Sequence, residues 1–124
     1  MSFLVMRAYA QLIMFDLYLK RQTFRALYDK VRKYPVRSLS DGAPTTEQVC
    51  YAVDFACIWY WKEVLCLQRS AATTCLLRAN GVHAQLVIGA QPLPFRAHAW
   101  VEVNGHVVND KPYTSEIYGV LDRC

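Results

Sequence analysis

From Phe3 to Tyr34 the chain carries neither glycine nor proline, and most of its residues are good helix formers. An uninterrupted stretch of that length commits the start of the chain to helix, as one long or two shorter rods that stop before Pro35. Apolar residues surround the first part almost completely: Phe3, Leu4, Val5, Met6, Ala8 and Tyr9 are followed by Leu12, Ile13, Met14, Phe15, Leu17, Tyr18 and Leu19. A helix of this kind needs cover on more than one side. A chain of 124 residues has room for one hydrophobic core. The cover is therefore that core alone, or the core together with another chain. Charged residues make up only 19% of the sequence, and a surface short of charge tends to hide part of itself against a partner.

The net charge of +4 comes without any basic run longer than Lys20-Arg21. Arg25, Lys30, Arg32, Lys33 and Arg37 read as a solvated face around a helix end, because no aromatic-and-glycine signature of an RNA-binding module accompanies them. Nucleic acid is therefore not an expected partner. Residues 1–19 contain Arg7, Gln11 and Asp16, which breaks the pattern of a signal peptide or a membrane-spanning helix. The five cysteines form no Cys-x-x-Cys pair, which argues against zinc-ribbon and thioredoxin-like chemistry. Reduced thiols in a cytoplasmic protein are the expectation, with at least one chemically active.

Pro35 to Pro44 reads as a loop containing Ser38, Ser40, Asp41 and Gly42. Thr45 and Gln48 have capping-box spacing ahead of a helix expected over Thr46 to Trp61. Along that helix Tyr51, Phe55, Ile58 and Trp59 recur at helical spacing, while Val49, Ala52 and Ala56 offer small packing positions. Trp59 and Trp61 are expected in the core. A third helix is expected from Cys66 to Asn80, closed by Asn80-Gly81. The period then changes to two: Val82, Ala84, Leu86 and Ile88 mark one strand and Ala97 to Val103 a second. Asn104-Gly105 is a two-residue hairpin turn that returns His106 to Asn109 antiparallel to the second strand. Helices followed by an antiparallel meander make an α+β fold.

Cys66 falls where the third helix starts. Free backbone N–H groups and the positive end of the helix dipole stabilise a thiolate at such a place. Cys75 lies on the opposite face, and Cys50, Cys57 and Cys75 read as small buried hydrophobes. Among the histidines, His98 shares one strand face with Trp100 and Glu102, opposite Ala99, Val101 and Val103, so it points away from the apolar row toward a cleft that Trp100 is expected to wall. His83 and His106 read as surface residues. With a two-residue turn, cross-strand partners have positions summing to 209, which puts His98 opposite position 111 and beside Asp110. A slip of one residue or a bulge brings the carboxylate to the ring. Asp110 is the preferred orienting group, and Asn109 is the alternative.

Cysteine at a helix start, histidine on a following strand and aspartate on the next is the chain order of transglutaminase-like cysteine peptidases. The stretches Cys66-Leu67-Gln68-Arg69-Ser70, Leu76 to Val82, Ala84 to Gly89, Ala97 to Gly105 and Val108-Asn109-Asp110 closely resemble the leader peptidases of lasso-peptide biosynthesis. The resemblance is strong over residues 64–111 and loose over the helical first half. It implies a papain-related core; no cofactor is expected, and no metal, because one cysteine and one histidine in the cleft leave too few ligands for a closed zinc site. It further implies a Cys66–His98–Asp110 triad that cuts the leader from a ribosomally made precursor. The freed amine is then joined to a side chain by an ATP-dependent lasso cyclase.

Many members of that family act with a separate leader-recognition protein, and this chain resembles the stand-alone type. One domain, 1–124, is expected, with a helical partner-docking region and loop over 1–44 and a catalytic core over 45–124. Leu12 and Phe15 are the expected docking residues. Arg69 is expected to bridge to a carboxylate or to backbone carbonyls. Competing readings are another transglutaminase-like acyl-transfer enzyme and a non-catalytic helical adaptor.

Overall fold

The computed structural model describes residues 2–38 and 42–124; Ser40 and Asp41 of the expected loop lie outside them. The elements run α1 (Ser2–Arg21), α2 (Phe24–Lys33), α3 (Thr46–Ile58), α4 (Cys66–Ala79), β1 (Ala84–Pro92), β2 (Phe95–Val103), β3 (His106–Val107), α5 (Thr114–Ile117) and β4 (Gly119–Arg123). The glycine-free start folds as two helices. Thr23 divides them by capping α2 through its side chain, which accepts the N–H of Ala26. The capping box at Thr45 and Gln48 forms with both of its bonds.

Helices α1, α3 and α4 pack together, and α4 also lies on β1 and β2. Leu4, Ala8, Leu12 and Phe15 of α1 join Val49, Ala52, Val53 and Ala56 of α3, and Leu76, Leu77, Leu86 and Val101, in one core. Leu12 and Phe15 are fully buried there, which corrects their expected role as docking residues: no partner reaches them. The outward row of α1 is Phe3, Met6, Ala10, Ile13 and Leu17, spaced by three and four. Phe3 and Met6 are 71% and 69% exposed. A helix apolar on all sides has two candidate inner faces, and periodicity alone does not choose between them.

The same ambiguity operates on α3. Its alanines and valines turn inward, and the aromatic row turns out: Trp59 and Trp61 are 69% and 65% exposed, so neither belongs to the core. Helix α3 ends at Ile58, before the expected Trp61, because Tyr60 turns inward. Its hydroxyl donates to Oδ2 of Asp16 at 2.8 Å, and Lys62 reaches the other oxygen of that carboxylate at 2.7 Å.

The sheet order is β3-β2-β1-β4, all antiparallel among the pairs described. Asn104 and Gly105 both have positive φ, and the turn sets Val103 opposite His106 and Glu102 opposite Val107, as the 209 rule requires. The final strand departs from a simple meander, since β4 crosses to the far edge and pairs with β1. All five of its residues are exposed, so it has no in–out alternation for a sequence to reveal, and backbone bonds hold it in place. Buried Arg78 ties the far end of the molecule together. It donates to the carbonyls of Ala84 at 2.9 Å, Cys124 at 2.8 Å and Tyr34 at 3.2 Å, and also to that of Val31.

Candidate active site

Cys66 is the first residue of α4. The N-cap, Leu65, supplies no side-chain hydrogen bond, so the first N–H groups of this helix are left to whatever lies beside the sulfur. Burial pushes the thiols of Cys50 and Cys57 up to about 11 and that of Cys75 up to about 12, and it raises Cys124 as well. Those four are poor nucleophiles at neutral pH. Cys66, half-buried, lines a cavity of about 260 Å³.

His98 of β2 lines the same cavity, together with Phe24, Leu67, Ile88, Ala97 and Ala99. Its Nε2 lies 2.6 Å from Oδ2 of Asp110. Strand β3 ends at Val107, one further bond runs from the N–H of Val108 to the carbonyl of Val101, and at Asn109 a side chain replaces the backbone as partner of Val101, which supplies the irregularity that brings Asp110 to the ring. Partial burial opposes ionisation of Asp110. The hydrogen bonds from His98 and from the N–H of Lys111, with the nearby charge of Arg69, outweigh it and hold the carboxyl below its usual range.

Asn109, the alternative orienting group, is occupied elsewhere. Its Oδ1 accepts the N–H of Val101 at 2.8 Å, and its Nδ2 donates to the Ser70 hydroxyl at 3.1 Å; that hydroxyl in turn donates to the carbonyl of Ala99. The amide therefore joins β2 to α4. Arg69 bridges as expected: Nη2 donates to the Asn109 carbonyl at 2.6 Å, and Nε lies 3.0 Å from Oδ1 of Asp54 as a charge pair without hydrogen-bond alignment.

Trp100 does not wall the cleft. It is fully buried, with its indole N–H donating to Glu102 at 2.9 Å. Its ring centroid lies 6.0 Å from that of His98, and Tyr118 is 5.0 Å from His98 on the same measure. Gly89, opposite His98 in the β1–β2 register, makes the space: a Cβ there would fall 2.6 Å from Cη2 of Trp100. Gly89 and Tyr118 were missed as supporting residues. A glycine inside an alternating strand signals such a close approach, whereas Tyr118, at the end of a four-residue helix, carries no comparable sign.

A thiol at an uncapped helix start, an imidazole in the same cavity and a carboxylate on that imidazole form a set suited to nucleophilic acyl transfer. Among the described residues, no cluster of three or more His, Cys, Asp or Glu side chains is arranged to hold a metal ion, and no helix is long and apolar enough to cross a membrane.

The microcin J25-processing protein McjB of Escherichia coli is 47% identical over 56 residues, covering 45% of this chain and 27% of that protein. The matched stretch thus spans about a quarter of that relative's length. No solved structure matches the chain. The family model of the Transglutaminase-like superfamily matches residues 10–123, nearly the whole length of the chain. With an α+β core and four antiparallel strands, the chain belongs to the transglutaminase-like superfamily.

Proposed function

We propose that the chain is a cytoplasmic cysteine endopeptidase that removes the leader from a ribosomally made lasso-peptide precursor. It acts with a separate leader-recognition protein and passes the core peptide to an ATP-dependent cyclase. The observation that carries the reading is one cavity shared by Cys66 and His98, with Asp110 on Nε2 of the ring. Likeness to a protein named for processing microcin J25 supports a peptide substrate. The uncovered apolar row of Phe3, Met6, Ile13 and Leu17 supports docking of the recognition protein on α1.

Asp110 accepts a hydrogen bond from Nε2–H of His98, so Nδ1 carries the lone pair that takes the Cys66 proton. The thiolate attacks the carbonyl at the leader–core junction, and the oxyanion meets the backbone N–H of Cys66 at the uncapped helix start. The imidazolium gives its proton to the departing amine of the core peptide, leaving the leader as a thioester. Neutral His98 then draws a proton from water, which attacks the thioester and releases the leader acid and the thiol.

The test is incubation of the chain with precursor and recognition protein, read by mass spectrometry. Cys66→Ala abolishes cleavage, and iodoacetamide labels Cys66 faster than Cys75. Surviving cleavage together with equal labelling refutes the reading, and transfer of the acyl group to an added amine instead of water marks the chain as an acyl transferase.

A further inference from the structure

We propose that the cavity beside Cys66 is a side-chain subsite, taking one apolar residue of the peptide next to the bond that is cut, with Phe24 and Ile88 setting its size. This inference rests on the peptidase reading. Apart from the sulfur and the imidazole, the side chains lining the cavity are hydrocarbon: Phe24, Leu67, Ile88 and the methyls of Ala97 and Ala99. The larger cavities of the molecule differ in kind. Each is lined by charged groups, such as Arg25, Asp29 and Arg32 in one and Asp16, Lys20, Lys62 and Glu63 in another.

A charged or amide side chain placed beside Cys66 loses water and finds only the sulfur and the imidazole as polar neighbours, both engaged in the proposed reaction, whereas an aliphatic or aromatic one loses only its apolar hydration. The volume of about 260 Å³ holds one such side chain. Two of its walls, Phe24 and Ile88, also line the neighbouring cavity of about 460 Å³ formed with Tyr28, Arg32 and Leu121. The two hollows therefore adjoin along α2, as a cleft for an extended chain requires and a closed pocket for a small molecule does not. Phe24 stands on α2, outside the elements that carry Cys66, His98 and Asp110, and its ring stacks on Tyr28 at 5.7 Å. It acts on selectivity without belonging to the acid–base chain.

One methylene in a hydrophobic pocket changes kcat/KM by roughly 10–200-fold. The experiment varies each precursor residue flanking the cleavage site through Ala, Val, Leu, Phe, Asp and Lys, and measures kcat/KM with the recognition protein present. One position favours Leu or Phe over Asp and Lys by at least about 10-fold. Phe24→Ala moves that optimum to a larger side chain, and Phe24→Trp or Ile88→Phe moves it to a smaller one. Phe24 is half exposed, so its two variants fold, and they carry the test if Ile88→Phe, packed against the core, does not.

A second readout needs no cleavage: the rate at which N-benzyl iodoacetamide labels Cys66, divided by that for iodoacetamide, each relative to glutathione. The ratio exceeds one in the native chain and falls in Phe24→Asp. If no precursor is cleaved while the labelling preference stands, the peptidase reading fails and the apolar site survives. If cleavage proceeds with no apolar preference at any position, or with a preference unmoved by all three size variants, the subsite is overturned.

Discussion

Oδ2 of Asp110 lies 2.6 Å from Nε2 of His98, while its other oxygen accepts the backbone N–H of Lys111 at 2.8 Å. The carboxylate is thus held at both oxygens, and the ring it touches rests against Trp100 and Tyr118. Its neighbour Asn109 points the other way, into the junction between β2 and α4. Adjacent residues that look interchangeable as imidazole partners have separate duties.

Substituting the two separates those duties. Asp110→Asn lowers kcat by about 10²–10⁴-fold, the range for loss of assisted proton transfer, with little change in thermal midpoint. Asn109→Ala leaves the buried Val101 N–H without its acceptor and costs about 1–3 kcal/mol of stability. Denaturant titration and single-turnover kinetics on both variants check the split; a larger stability loss in Asp110→Asn than in Asn109→Ala contradicts it.

Arg69 fixes the carbonyl just before Asp110, and its charge contributes to keeping that carboxyl ionised. Arg69→Ala frees the Asp110 segment, and a displacement of about 1 Å at the reacting groups lowers kcat by about 10²-fold. Lysine restores the charge without the fork, so Arg69→Lys recovers only part of the rate. Full recovery by lysine assigns the effect to charge alone.

Gly89→Ala puts a methyl 2.6 Å from the Trp100 ring, where rigid backbone on one side and a fully buried indole on the other leave no room. Overpacking of this sort costs typically about 1–3 kcal/mol. Because the displaced ring supports His98, kcat falls as well. Trp100 fluorescence, resolved from exposed Trp59 and Trp61 by quenching, reports the movement; an unshifted buried component overturns it.

The two faces of α1 respond differently to charge. Leu12→Asp buries an unpaired carboxylate in the core and unfolds the chain. Met6→Asp and Ile13→Asp leave the circular-dichroism melt within about 0.5 kcal/mol of the native chain and remove capture by the recognition protein. Undiminished capture by the doubly substituted chain rules out this face as the docking surface.

Acid stability follows from Asp16. Burial opposes its ionisation, but the bonds from Lys62 and Tyr60 prevail and lower its value in the folded chain. The unfolded chain therefore binds more protons in the acid range. The contribution is present above the unfolded value of about 4 and is lost as pH falls through the lower folded value. In Asp16→Asn the slope of stability against pH below about 4 flattens; an unchanged slope shows that other carboxylates set it.

Much of this was legible because local rules and tertiary structure agree. The capping box at Thr45, the Asn80-Gly81 stop and the Asn104-Gly105 turn are short-range chemistry, and each appears where the residues put it. Order and spacing single out Cys66, His98 and Asp110, and the structure sets Cys66 and His98 on one cavity with Asp110 on the ring. What escaped depends on which side of an element faces inward. Leu12 and Phe15 went in while Met6 and Ile13 stayed out, and Trp59 and Trp61 yielded the interior to small residues. Helix period gives the width of an apolar stripe, not the identity of its cover. Trp100 was read as lining a cleft because its row is polar, yet Gly89 and Tyr118 close over it. The exposed β4 left no pattern to read.

His98 and Asp110 are 12 positions apart and meet across a hairpin, whereas the Ser70–Asn109 junction that seats α4 on the sheet spans 39. Closing the shorter loop is entropically easier, so the imidazole meets its carboxylate at less cost than α4 meets the Asn109 amide. On the proposed reading, a molecule whose α4 has come off the sheet keeps every reactive group and cuts nothing, so bystander peptides are spared until those contacts close.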